Sequence, residues 1–268
     1  LSSGQSCAIS ESPAQGIGFQ VWRAAGALCH HLALEASDLT GRKVLELGAG
    51  CGLVGICCGH LGADVTLTDQ ASVLPILRHN VQQNELPAES PGSLRVHALH
   101  WGCDVSQELP LPREGFDLIV GSDLTYFEHL HEALLLTLLQ LVRSPGTEVL
   151  LAHTRRREEF ERWLDRFEVF FETRLLREIP ALQTVPLGSA DEGAACKGGP
   201  AADDSATIAI YSLRLRGTEL LSEQELDQML MERNDQSQLL ARLAMLESDI
   251  ATIEAEEEEE GELDSASK

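Results

Sequence analysis

The chain has 268 residues, 43% of them hydrophobic, and a formal charge of −23 from 20 basic and 43 acidic side chains. That size suits one α/β domain with an appendage, or two small domains, with enough apolar residues for a core. The acidic balance argues against free duplex nucleic acid as a partner and favours a basic protein or a cationic small molecule.

The predicted elements run as follows. Residues 1–15 open with a Ser/Gly-rich stretch that reads as flexible. Phe19 to Ala36 carries helical apolar spacing at Val21, Trp22, Ala25, Leu28, Cys29 and Leu32. Lys43–Leu47 is a short buried strand, Leu53–Leu61 a helix, Asp64–Thr68 a second strand and Val73–Asn84 a second amphipathic helix. Pro87–Gly92 is a loop, and Leu94–Leu99 alternates as a strand does. Phe116–Gly121 is a continuous apolar run of the type buried in a parallel sheet. Leu130–Val142 is a strongly apolar helix, Glu148–His153 a strand and Glu158–Phe170 a helix. Glu172–Ile179 and Thr207–Leu215 read as two strands with no crossover helix between them, hence an antiparallel pair at one sheet edge. Their connection, 180–206, is rich in Gly, Ala, Pro and Asp and reads as flexible. The fold class is therefore α/β, a Rossmann-like sheet of seven mostly parallel strands with the last one antiparallel.

Beyond this body, 16–217, the composition changes. From Thr218 to Lys268 there are 16 acids against 3 bases. Leu239, Leu243, Leu246, Ile250 and Ile253 form a short heptad seam within a helical segment, 218–253. Such a seam fits either packing on its own domain or self- or partner-association as a coiled coil. Glu256–Glu260 belongs to an acidic tail, 254–268, expected to be disordered.

Seven cysteines, at 7, 29, 51, 57, 58, 103 and 196, include no Cys-x-x-Cys pair. A zinc site or a disulfide scaffold is not expected, and a cytoplasmic compartment, with the nucleus as a second location, is. No apolar run is long enough for a membrane span, and no membrane partner is expected. His79, His97, His100 and His153 are scattered without metal-ligand spacing, so no metal is expected. Arg155-Arg156-Arg157 is a basic patch in an acidic chain, either an anchor for an acidic substrate region or the solvated start of a helix.

Chemistry concentrates around Val44–Leu53. A buried strand runs into Glu46-x-Gly48-x-Gly50-x-Gly52, and Asp69 closes the next strand. Glycines let a backbone approach a ligand closely, and an acid at that strand end can accept hydrogen bonds from two ribose hydroxyls, so the pair describes a nucleoside site. A pyrophosphate would want a helix N-terminus cleared for its charge. Glu46, one turn before the glycines, instead suits a ligand carrying an ammonium, which favours a cationic methyl donor over NAD. Asp123 follows the buried Phe116–Ser122 run, at the edge where open α/β sheets bind ligands. Its structural alternative is an N-cap for a helix over Leu124–Val142.

Four segments together resemble the seven-β-strand methyltransferases, and more narrowly the protein-lysine methyltransferases of methyltransferase family 16. They are Glu46-Leu47-Gly48-Ala49-Gly50-Cys51-Gly52-Leu53, Leu67-Thr68-Asp69, Leu99-His100-Trp101-Gly102 and Asp123-Leu124-Thr125-Tyr126. The resemblance covers residues 16–215. It implies S-adenosylmethionine as cofactor and a methyl transfer to a lysine of a protein substrate; the acidic charge of the chain, separately, suits a substrate with a basic surface. By the same resemblance Trp22, Glu46, Gly48, Ala49, Gly50, Asp69, Trp101 and Ser122 contact the donor, and Asp123 and Tyr126 face the transferred methyl and the acceptor amine. An indole offers a flat apolar face to a purine or a sulfonium, which fits Trp22 and Trp101. Trp163 has no such context and reads as core or helix surface. Arginine, histidine or a small molecule stand as alternative acceptors on the same scaffold. A non-catalytic adaptor working through the C-terminal helix is the alternative of a different class.

Overall fold

A computed structural model describes residues 7–36, 38–155, 162–180 and 206–216, together with Gln224 and Gln228, both helical and exposed. The connection predicted as flexible, the heptad seam, the acidic tail and Arg156-Arg157 lie outside the described residues apart from the two ends of that connection.

Seven strands form one sheet: β1 (Lys43–Leu47), β2 (Asp64–Asp69), β3 (Ser93–Ala98), β4 (Leu118–Ser122), β5 (Glu148–Arg155), β6 (Phe171–Pro180) and β7 (Thr207–Leu215). Their spatial order is β3-β2-β1-β4-β5-β7-β6. The first five are parallel, with Leu45 of β1 beside both Thr66 of β2 and Ile119 of β4. β7 runs antiparallel to both β5 and β6, as expected for a last strand that returns without a crossover helix. A register shift between Leu175 and Arg177 places one extra β6 residue against β7.

The central strands read as apolar runs because both their faces are covered. Val44, Leu45 and Leu47 of β1, and Leu118, Ile119 and Val120 of β4, are all buried. Each such side chain contributes about 1.5–3 kcal/mol relative to exposure. Among the described residues six helices accompany the sheet: α1 (Arg23–Glu35), α2 (Leu53–His60), α3 (Leu74–Gln83), α4 (Val105–Glu108), α5 (His131–Leu141) and α6 (Arg162–Phe167). α1 packs on α2 and reaches β4, β5 and β7, while α2 lies on β1 to β4. Every residue of α2 except His60 is buried, and every residue of α5 except Glu132. Both helices are therefore buried all round rather than along one stripe.

The start of α1 differs from the sequence expectation. α1 begins at Arg23, four residues after the expected Phe19, because Ile17–Phe19 forms a separate 3-10 turn and Gln20 is extended. α5 begins at His131, within one residue of the expected Leu130, and a 3-10 turn at Glu128–Leu130 rather than helix precedes it. Asp123 therefore caps no helix, and that alternative for its role falls away. α4 has four residues, too few for a periodic signal; Asp104 caps it by accepting from the Ser106 N–H at 2.9 Å.

Trp163 is core, at 1% exposure, and its ring meets His153, Phe167 and Tyr211 edge-on at centroid distances of 6.2, 5.1 and 5.8 Å. The described residues contain no helix long and apolar enough to cross a membrane.

Candidate active site

The order β3-β2-β1-β4 reverses direction between β1 and β4, and a crevice opens beyond the carboxyl ends of strands at such a switch point. There the chain leaves β1 through Gly48, Gly50 and Gly52, all at positive φ (55°, 54° and 85°). A Cβ at Gly48 would stand 2.7 Å from Leu124 Cδ2 and 3.1 Å from Trp101 Cζ2. Only glycine thus lets the β1 loop, the Trp101 loop and the β4 loop converge.

The loops enclose a cavity of about 350 Å3, within the usual range for small-molecule sites. All ten residues singled out from the sequence line it: Trp22, Glu46, Gly48, Ala49, Gly50, Asp69, Trp101, Ser122, Asp123 and Tyr126. Three of them are carboxylates, and among the described residues no Lys or Arg lines the cavity. The nearest to a base is His100, whose Nδ1 is 2.9 Å from Glu108 Oε1.

Each carboxylate has a distinct setting. Glu46 is 2% exposed, and its Oε2 accepts the Gly55 N–H at 2.8 Å. The contact is close enough that a Cβ at Gly55 would collide with that oxygen at 2.5 Å. Burial pushes the Glu46 carboxyl up to about 8, against the lowering effect of the Gly55 bond. Asp69 Oδ2 accepts the Gly50 N–H and Oδ1 the Gln70 N–H, each at 2.7 Å. Burial raises its carboxyl as well, and those two N–H bonds oppose the rise. Asp123, at φ 52°, is the one described non-glycine residue with positive φ. Its Oδ1 accepts the Thr154 N–H at 2.7 Å and its Oδ2 the Thr154 hydroxyl at 2.9 Å.

Aromatic rings form the mouth. Trp22 and Tyr126 stack with centroids 6.4 Å apart, and Phe127 meets Tyr126 edge-on at 4.9 Å. Tyr126 and Phe127 remain 39% and 38% exposed. Trp22 Nε1 donates to the Ile17 carbonyl at 3.0 Å, which fixes the indole against its own strap.

A family model of lysine methyltransferases matches residues 2–170. The chain belongs to this lysine methyltransferase family. Protein N-lysine methyltransferase METTL21A of Danio rerio is 44% identical over 150 residues, which are 56% of this chain and 66% of that protein. EEF1A lysine methyltransferase 3 of Mus musculus is 39% identical over 140 residues, 52% of this chain and 57% of that protein. The matched segment thus spans less than two thirds of either relative's length. Among solved structures, the YcgJ protein of Bacillus subtilis aligns at a TM-score of 0.48 and 12% identity, covering 71% of this chain and 99% of that one.

Within this lysine methyltransferase fold, several residues that hold the site in place had no sequence signal. Asn80 and Asn84, one turn apart on and just after α3, bind the N-terminal strap as a neighbouring strand would. Their carbonyl oxygens accept the N–H groups of Ser10 and Ala8 at 2.8 and 2.9 Å. Their amides donate back to the same residues' carbonyls at 3.0 and 2.7 Å. Asn80 also donates to the Cys51 carbonyl in the glycine loop at 2.9 Å, joining strap to loop. The strap then supplies Ile17, Gly18, Gln20 and Val21 to the cavity wall. Ser/Gly composition concealed this, because the order comes from partners about 70 residues away. Similarly, α5 sets the Trp101 loop: Thr137 Oγ1 accepts the Gly102 N–H at 2.8 Å, and Gln140 bonds Val105 N and Cys103 O at 3.1 and 2.9 Å. Thr137 and Gln140, polar within the leucine-rich part of α5, were the available clue.

Proposed function

We propose that this protein transfers a methyl group from S-adenosylmethionine to a lysine side chain of a protein substrate. The observation that carries the reading is the charge of the cavity: three carboxylates, with no lysine or arginine among its described lining residues. Such a wall suits a cationic ligand without phosphates and disfavours a dinucleotide. The size of the cavity, the glycine cradle beside Trp101 and the buried acid under the loop fit that donor. Trp22, Glu46, Gly48, Ala49, Gly50, Asp69, Trp101 and Ser122 are the residues that would hold it, with Asp69 offering carboxylate oxygens to sugar hydroxyls and Glu46 a negative charge to an ammonium.

When bound, the donor supplies a methyl on a positively charged sulfur, open to displacement by a nitrogen lone pair. The protein's own contribution is placement. A lysine must shed its proton before it can attack, and an apolar aromatic mouth favours the neutral amine while Asp123 favours the charged one. Asp123 can orient the amine by accepting its remaining hydrogens while Thr154 holds both carboxylate oxygens in place. Tyr126, backed by Trp22 and Phe127, provides a wall that tolerates positive charge and excludes water. No covalent enzyme intermediate is needed, and alignment accounts for the acceleration.

The relatives named as lysine methyltransferases support a lysine acceptor, and the acidic body supports a substrate with a basic surface. The test is incubation with tritiated S-adenosylmethionine and a cell extract, followed by mass spectrometry of the labelled protein. Label on a lysine nitrogen supports the reading; label on arginine, histidine or only small molecules overturns it.

A further inference from the structure

Asp123 occupies a backbone region that costs an L-residue about 1 kcal/mol, and its carboxylate needs a defined direction to be of use at the cavity wall. The Asp123 N–H donates to the Ala152 carbonyl at 2.8 Å, which continues the β4–β5 pairing by one residue. Both oxygens of its side chain are then gripped by one residue. Thr154 gives its backbone N–H to Oδ1 at 2.7 Å and its hydroxyl to Oδ2 at 2.9 Å. Two bonds from one partner fix the swing and the twist of the carboxylate together.

Thr154 itself stands behind the wall rather than in it. It is 7% exposed, is not among the cavity-lining residues, and is held in β5 opposite Ile208 of β7. Its neighbours form a second layer. His153 Nδ1 lies 2.8 Å from Thr125 Oγ1 and 4.0 Å from Asp123 Oδ1. His131 Nε2 donates to the Thr125 carbonyl at 2.9 Å. The turn that carries Asp123 and Tyr126 is thus tied to the end of β5 at both Asp123 and Thr125, and to the start of α5.

We propose that Thr154 is a positioning residue for methyl transfer: its hydroxyl and N–H set the orientation of the Asp123 carboxylate that meets the acceptor amine. The proposal rests on Asp123 handling the acceptor. Thr154 does not line the cavity, so its loss acts on the rate through Asp123 and leaves donor binding in place. Misplacement of a reacting group by about 1 Å can lower a rate on the order of 100-fold.

The experiment uses the full chain with Thr154→Val, which deletes the hydroxyl but keeps shape and N–H, Thr154→Ser, which keeps the hydroxyl, and Asp123→Ala. Initial rates of tritium transfer from S-adenosylmethionine into cell-extract protein are divided by the concentration of binding-competent enzyme, counted from calorimetric stoichiometry. This removes any contribution from misfolding. Expected are a fall of roughly 10- to 100-fold for Thr154→Val with donor affinity within about twofold of the parent, and a rate for Thr154→Ser within about threefold of it. In the Asp123→Ala background, Thr154→Val should add no further loss. Asp123→Ala inactive with Thr154→Val fully active would overturn this inference alone. Equal losses in the Val and Ser variants would also overturn it, since a hydroxyl effect would then be absent. Asp123→Ala retaining the parent rate would remove the reading beneath it.

Discussion

Replacing Glu46 by Gln gives a quantitative test of the buried acid beneath the glycine loop. The glutamine keeps an oxygen that can accept the Gly55 N–H, so the turn into α2 survives, but the group no longer titrates. In the parent, burial raises the carboxyl from 4.5 to about 8 in the donor-free fold. Between those values the folded chain binds a proton that the unfolded chain has lost. Folding stability from this group is therefore fully present below about 4.5 and is lost as pH rises through about 8. At about 1.4 kcal/mol per unit, the whole loss is on the order of 5 kcal/mol. The stability of Glu46→Gln relative to the parent should accordingly rise with pH, by about 2 kcal/mol from pH 5.5 to 7 and by about 3 from pH 5.5 to 8.5. Urea unfolding of both donor-free proteins at the three pH values measures that gap. Donor binding supplies the opposite arm: an ammonium beside Glu46 favours its ionised form, so the parent should release a proton on binding below pH 8 and Glu46→Gln should not. Calorimetry in two buffers of different ionisation enthalpy reads the release. A gap that stays constant with pH, together with equal proton release in the two proteins, would refute the reasoning.

Gly48→Ala should abolish donor binding, because the new methyl stands 2.7 Å from Leu124 and 3.1 Å from Trp101 at a backbone φ of 55°. Its melting temperature should fall by only a few degrees, corresponding to about 1–2 kcal/mol. Asn80→Ala leaves the Ser10 N–H and the Ser10 and Cys51 carbonyls without their partner. It should cost about 1–3 kcal/mol and speed amide hydrogen exchange across residues 8–22 more than elsewhere, as mass spectrometry would show. Trp163→Ala empties an edge-to-face aromatic cluster and should cost about 3–5 kcal/mol in denaturant unfolding, with transfer per folded molecule retained.

The parts of the fold that depend on local periodicity were readable in the chain. Phe116–Gly121 was legible as a doubly covered strand because its apolar residues are consecutive, and β4 occupies most of that run. Of the ten site residues, Glu46, Gly48, Gly50, Asp69 and Asp123 were marked by glycines and acids at strand ends, while Trp22, Ala49, Trp101, Ser122 and Tyr126 came only from the family resemblance; all ten line one cavity. Spacing did not by itself choose the ligand, however. Gly50-Cys51-Gly52-Leu53-Val54-Gly55 also satisfies the Gly-x-Gly-x-x-Gly form of dinucleotide sites. What separates the two is charge: Glu46 signalled it in the sequence, and the assembled cavity adds Asp69 and Asp123 with no lysine or arginine among its described lining residues. Long-range polar ties were hidden. Asn80, Asn84, Thr137, Gln140 and Thr154 each act on a segment distant in sequence, and nothing in their immediate neighbours marks the partner. The start of α5 was legible, since the apolar run from Leu130 predicts it to within one residue; what the turn between Asp123 and Leu130 does for the site was not.

Calorimetric titration of the donor-free chain with S-adenosylmethionine and, separately, with NAD tests the central claim most directly, that this three-carboxylate cavity selects a cationic, phosphate-free nucleoside. The account predicts stoichiometric binding of S-adenosylmethionine, lost in Asp69→Ala, and no heat from NAD at the same concentrations. Saturable NAD binding, or S-adenosylmethionine binding that survives Asp69→Ala undiminished, would contradict it.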